Sequence, residues 1–174
     1  MSGRGAKLAA MCLGIAAAMF LQPDGGMPRL IWNVSASVPV GLYSVTPAGE
    51  LHVADLVIVR PPEAITSFLA DRAYLPRGVP LLKRILALPG QTVCRQNLLI
   101  TVDGVEMGKA HERDHLGRAL PVWQGCRVIA DDAIFLMNWQ SKDSLDGRYF
   151  GPLPIASIVG RAEPLWTDEE ADEE

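Results

Sequence analysis

Leu42 to Val45, Leu56 to Val59, Leu81 to Leu88, Leu98 to Val102, Val128 to Ile129 and Ile134 to Asn138 are short apolar runs cut apart by Pro, Gly or Asp. Runs of that length between turn residues predict strands. Against them stands one stretch with helical spacing, Glu63 to Tyr74, in which Ile65, Phe68, Leu69 and Tyr74 fall near one face behind Pro61-Pro62. A parallel α/β sheet needs helices alternating with strands, and that alternation is missing, so the chain is expected to be mainly β with one short helix. Its 174 residues, 49% of them hydrophobic, supply one domain with a real core.

Met1 to Gln22 joins a basic head, Arg4 and Lys7, to the apolar run Leu8 to Leu21. That run is short for a bilayer span, which takes about 17 to 25 residues, and has the length of a signal-peptide core. Ala16-Ala17-Ala18 offers a small-x-small cleavage site but lies inside the run, so an uncleaved anchor and a removed signal both fit. Either way the positive head stays inside and the remainder is exported. The expected organisation is therefore a membrane or signal helix over 1–22, a linker over 23–28 containing Pro23, Gly25, Gly26 and Pro28, a folded domain over 29–167, and a solvated acidic tail over 168–174. A formal charge of −4 with no basic stripe excludes nucleic acid as an expected partner.

Asn33-Val34-Ser35-Ala36-Ser37-Val38-Pro39-Val40-Gly41 places two hydroxyls beside a bend. The alternation up to Ser37 suits a strand, and Pro39 and Gly41 then turn the chain. A serine so held by backbone, next to N–H groups that can meet an oxyanion, suits a nucleophile, although Ser, Pro and Gly also make ordinary turns. A base is needed, and His52, His111 and His115 all stand in polar or turn-like surroundings. Within Leu81 to Leu88 the period of two puts Leu81, Lys83, Ile85 and Ala87 on one face and Leu82, Arg84, Leu86 and Leu88 on the other. At least one cation then lies against apolar surface. Burial lowers a lysine pKa from its usual 10.4 or so, whereas arginine stays charged. Lys83 is thus the candidate general base, the alternative being a lysine that snorkels from a strand edge, and Arg84 is expected to face solvent or a structural carboxylate.

Three stretches together resemble a known family. Asn33-x-Ser35-x-Ser37-x-Pro39-x-Gly41-Leu42-Tyr43, Leu81-Leu82-Lys83-Arg84-Ile85-x-Ala87-x-Pro89-Gly90 and Ser144-Leu145-Asp146-Gly147-Arg148-Tyr149-Phe150-Gly151 resemble, in order and at fitting distances, the boxes of the signal peptidase I clan. Pro39 follows Ser37 by two residues and Gly-Leu-Tyr comes next, which is the form of the TraF-type conjugative-transfer peptidases rather than of general leader peptidases. The resemblance implies a twisted antiparallel β fold of the signal-peptidase type. It also implies that Ser144 and Asp146 support the lysine; Asp146 can pair with Arg148 to hold that box, where the residues alone would also fit a surface turn. Gly147 replaces the serine that more usually follows the aspartate.

Cys94 and Cys126 each stand beside an expected strand in the exported part, where an oxidising compartment permits a disulfide; two buried free thiols are the alternative. No clustered ligands accompany them, so no metal site is expected. His111 and His115 have helical metal-pair spacing, but Gly108 and Gly117 bracket them, and the loop from Val105 to Gln124 reads instead as an exposed polar insertion that guides or covers substrate.

The expected reaction needs no cofactor. Neutral Lys83 removes the Ser37 proton, Ser37 attacks a peptide carbonyl, the Ser37 amide and the Ser35 hydroxyl meet the oxyanion, and an acyl-enzyme forms. Water then gives a cut product, and an amine from the same substrate gives a cyclic one. By the resemblance the substrate is a conjugative pilin precursor, processed in the periplasm at the outer face of the inner membrane near other conjugative transfer or type IV secretion components. A general leader peptidase and a noncatalytic pilus-assembly factor are the competing readings. A self-cleaving repressor is not expected, because the export segment stands where a DNA-binding domain would.

Overall fold

The computed structural model describes residues 29–168. The expected membrane or signal helix and linker, and the acidic tail beyond Asp168, lie outside the described residues. Eleven strands run in chain order among those described: β1 (Leu30–Asn33), β2 (Gly41–Thr46), β3 (Leu56–Val59), β4 (Leu81–Ala87), β5 (Thr92–Gln96), β6 (Leu99–Val102), β7 (Val105–Lys109), β8 (Gly125–Val128), β9 (Ala133–Leu136), β10 (Leu153–Pro154) and β11 (Ile158–Thr167). Helix α1 (Glu63–Asp71) follows β3, and the single turn α2 (Gly147–Phe150) follows β9. The larger sheet has the order β1-β2-β11-β3-β4-β9-β10 and the smaller one β7-β6-β5-β8, with antiparallel pairing throughout. The fold is mainly β, as its short apolar runs predict.

Hydrophobic burial explains why β3 sits near the middle of the larger sheet, since both of its faces are covered. Leu56 and Ile58 pack with Tyr43, Val45 and Leu82, whereas Val57 and Val59 pack with Ile85, Ile134 and Leu136. A third cluster, containing Leu86, Ala87, Val93, Ile100, Trp123, Phe135 and Met137, joins the two sheets. Strand β4 enters all three clusters, through Leu82, Ile85, and Leu86 with Ala87, so most of its length is buried.

Several details differ from the sequence expectation. The strand at Leu30 ends at Asn33 rather than continuing to Ser37, because the Asn33 side chain captures the following backbone. Helix α1 stops at Asp71, and Ala73 takes a left-handed φ of 56°. The residues beyond it are held from across the chain: the Arg72 guanidinium donates to Ala119 O and the Tyr74 hydroxyl bonds Asp114. Val105–Lys109, expected within a loop, is strand β7, reached by a two-residue turn in which Asp103 and Gly104 both have positive φ.

Candidate active site

Ser37 lies in the seven-residue connection 34–40 between β1 and β2. The amide of Asn33, only 8% exposed, shapes this connection. Its Nδ2 donates to Ser35 O, Val38 O and Pro39 O at 2.8, 3.1 and 2.9 Å, and its Oδ1 accepts from Ser35 N at 3.1 Å. The buried Tyr43 hydroxyl donates to Pro39 O at 2.7 Å. Gly41 closes the connection because β11 comes so near that a Cβ there would stand 2.1 Å from Trp166 O. With the backbone fixed in this way, Ser35 Oγ sits 3.1 Å from Ser37 Oγ and 3.4 Å from Ser37 N.

Lys83 is the third of the seven residues of β4, stands opposite Val57, and is 4% exposed. Its Nζ is 3.3 Å from Ser37 Oγ and 2.8 Å from Ser144 Oγ. Burial pulls its pKa from the ordinary 10.5 to about 8; Asp146 opposes that change and Arg148 reinforces it. Arg84, the alternative cation, lies on the opposite face and donates to Ala54 O rather than to a carboxylate. Arg84 lines a separate cavity of 470 Å³ with Asp55 and Arg161, which contains neither Ser37 nor Lys83.

Beyond Leu136 the ladder between β4 and β9 is completed by a side chain. Asn138 Oδ1 accepts from Arg84 N at 2.8 Å and its Nδ2 donates to Leu82 O at 3.2 Å, so one amide grips β4 on both sides of Lys83. Asn138 N in turn donates to Asp146 Oδ2 at 3.1 Å. Asp146 caps α2 and pairs with Arg148, whose Nε and second terminal nitrogen both reach the carboxylate at 2.9 Å. The Arg148 guanidinium also donates to the carbonyls of Ser141, Lys142 and Ser144. Both charges are buried and their hydrogen-bonding atoms are occupied, the condition under which a buried ion pair is tolerated. Gly147 is required by close approach, since a Cβ would fall 2.6 Å from Leu136 O and 2.7 Å from the Phe135 ring. This gives a steric reason for glycine where serine is more usual.

Every sequence-derived site residue except the two cysteines therefore converges here. Cys94 and Cys126 form a disulfide between directly opposed positions of β5 and β8, away from Ser37 and Lys83. A groove of 670 Å³ passes Ser35, Ser37, Lys83 and Ser144 and is walled opposite by Leu69, Leu75 and the loop carrying His111 and His115. Among the described residues no group of three or more His, Cys, Asp or Glu is placed to hold a metal ion, and no helix is long and apolar enough to cross a membrane. The sequence reading gave no role to Asn33 or Asn138. Asn33 opens the first box, and Asn138 is the lone polar residue ending an apolar run, so each carried a faint signal.

The arrangement combines a hydroxyl, a buried amine of lowered pKa and a substrate-sized groove. Residues 4–166 match the family model for signal peptidase, peptidase S26. The chain is 35% identical over 147 residues to a conjugal transfer protein TraF of Agrobacterium fabrum, covering 78% of this chain and 81% of that one. It is 28% identical over 166 residues to a plasmid transfer protein TraF of Escherichia coli, covering 90% and 94%. It is 27% identical over 148 residues to a probable signal peptidase I-1 of Synechocystis, covering 85% and 69%. Among solved structures, a signal peptidase I of Enterococcus faecalis aligns with a TM-score of 0.40 and 18% identity over 66% of this chain and 97% of that one. The chain belongs to the peptidase S26 family of signal peptidases, as a TraF-type member.

Proposed function

We propose that this protein is a serine endopeptidase in which Ser37 and Lys83 process a conjugative pilin precursor at the periplasmic face of the inner membrane. The observation that carries the reading is the buried Lys83 amine 3.3 Å from Ser37 Oγ, joined from positions 46 residues apart. With a pKa of about 8, roughly a tenth of the amine is uncharged at pH 7, enough to accept a proton without a histidine. Ser144 fixes the amine, and the Asp146–Arg148 pair fixes the backbone that carries Ser144. The Ser35 hydroxyl and Ser37 N–H, now turned toward one another, supply the donors for the oxyanion. Attack by Ser37 gives an acyl-enzyme; water releases a linear product, and the amine of the same chain releases a ring.

The test is mass spectrometry of a co-expressed pilin. Ser37→Ala, Lys83→Ala and Lys83→Arg each leave the precursor uncut, while the active protein yields either a cut linear chain or that mass less one water. An active Lys83→Arg enzyme overturns the neutral-amine mechanism, because a guanidinium does not deprotonate. The similarity to a probable signal peptidase I-1 favours a second reading, a general leader peptidase. That enzyme would rescue loss of the host leader peptidase across many preproteins, which a dedicated pilin peptidase does not.

A further inference from the structure

Arg95, in the smaller sheet, is 1% exposed, and among the described residues no carboxylate pairs with it. A buried cation without an anion is costly to keep. Its donors explain what it does. Nε bonds Asn97 O at 3.0 Å, and one terminal nitrogen bonds Pro121 O at 3.3 Å and Arg148 O in α2, while the other has no partner. The guanidinium also lies 6.0 Å from the centre of the Tyr149 ring.

Arg95 does not act on α2 alone. Trp123 Nε1 donates to Gly147 O at 2.9 Å, and His111 N donates to the Tyr149 hydroxyl at 3.0 Å. Three consecutive residues of α2 are thus each held by a group from the smaller sheet or its loop. The same helical turn begins at Asp146 and carries Arg148, which secure Ser144 and Asn138, the two residues that touch Lys83 or grip its strand. Cys94, beside Arg95 in the chain, is bonded across to β8.

We propose that Arg95 is a positioning residue for the active-site amine: by anchoring α2 to the smaller sheet, it keeps Ser144 and the Asp146–Arg148 pair seated over Lys83 and keeps water away from it. This rests on Lys83 being the working base but adds a distant sheet to the machinery. The charged and titratable groups around Lys83 are Asp146 and Arg148, with Tyr74, His111, Arg113, Asp114, His115, Asp143 and Tyr149 lining the same groove. Of these, Asp146 raises and Arg148 lowers the lysine's pKa, against the larger lowering by burial.

The experiment follows the lysine itself, without substrate. The full chain in detergent micelles contains four lysines, Lys7, Lys83, Lys109 and Lys142. Labelled with 13C at Cε, each gives a signal whose shift is followed from pH 6 to 11, and Lys83→Met identifies the one of interest. In the native chain Lys83 titrates near 8; in Arg95→Met the midpoint moves up by about one unit as water reaches the amine. Arg95→Lys, which keeps one charged donor, falls between the two, and it decides the matter should Arg95→Met not fold. A Lys83 midpoint unchanged in the folded variant overturns the proposal. A native chain that cleaves no pilin overturns the peptidase reading instead, and leaves this titration to stand or fall separately.

Discussion

Replacing Lys83 with methionine should abolish processing and, at neutral pH, make the fold more stable. In the folded chain the amine loses its proton near pH 8, and in the unfolded chain near 10.5. Between those values the unfolded chain binds more protons, so native stability rises with pH across that window; below it the full penalty of burying the cation applies. The difference, 10.5 − 8, corresponds to about 3 kcal/mol at roughly 1.4 kcal/mol per unit. Because the side chain is only 4% exposed, solvent screening removes little of this. Methionine fills similar volume but leaves the Ser144 hydroxyl without its partner, a loss of about 1 kcal/mol. The net gain at pH 7 is therefore about 2 kcal/mol, or about 4 to 8 °C in Tm for a chain of this size.

The assay is urea unfolding of native and Lys83→Met full-length chains in the same detergent at intervals from pH 7 to 11. Titrations common to the two proteins, such as that of Tyr149 with its burial-raised pKa, cancel in the difference. The advantage of the variant should be constant below pH 8 and shrink by roughly 1.4 kcal/mol per unit above it. It should pass through zero at about pH 9.5 and reverse by about 1 kcal/mol, the loss of the Ser144 partner, by about pH 10.5. A stability difference that stays flat across this range refutes the claim that burial has lowered the lysine's pKa, and with it the supply of neutral amine at physiological pH.

Asp146→Asn should destabilise the fold by about 3 to 5 kcal/mol, since it strands the buried Arg148 cation, and a chemical melt measures it. Where that variant folds, loss of the carboxylate should move the acid limb of kcat/KM to lower pH, because Asp146 favours the protonated lysine. Asn33→Asp keeps the shape of the clamp but removes its donor to three carbonyls; kcat should fall at least about tenfold with KM for pilin peptides less affected, a result that unaltered kcat would contradict. Breaking the Cys94–Cys126 bond, which closes 32 positions, should lower stability by about 3 to 4 kcal/mol, measured by comparing melts with and without reductant.

The sheet and the burial of Lys83 were legible in the sequence for the same reason. β3 and β9 are buried on both faces and read as uninterrupted apolar runs, and in β4 Lys83 and Arg84 were conspicuous because they interrupt such a run. β5, β7 and β8 were not read whole because they are half-exposed and polar: Thr92, Arg95, Glu106 and Arg127 hide strands whose pairing is fixed by partners far along the chain. The span of β11 was blurred by Arg161, Glu163 and Pro164, although it lies between β2 and β3. Local pattern reports burial; it does not report which neighbour will supply the other half of a ladder.

The asparagines were hidden by a different route. Asn33 and Asn138 each replace several backbone partners with one amide, the first folding a connection and the second completing a strand ladder, and neither use has a spacing rule. Both are explained by what Lys83 requires. A lysine keeps an uncharged fraction at pH 7 only if water is excluded and no unbalanced carboxylate faces it. Asp146 alone would restore the proton, so its charge is matched by Arg148; once the pair is neutral overall, burial decides the lysine's state. Such burial is unforgiving of movement, because a gap that admits water carries the pKa back toward 10.5 and shrinks the uncharged fraction. The strand carrying Lys83 is gripped on both sides by Asn138, and the connection carrying Ser37 is gripped by Asn33. With Lys83 as the proposed base, these clamps follow from its need for burial, since a histidine, whose pKa is near neutral without burial, would not need so dry a setting.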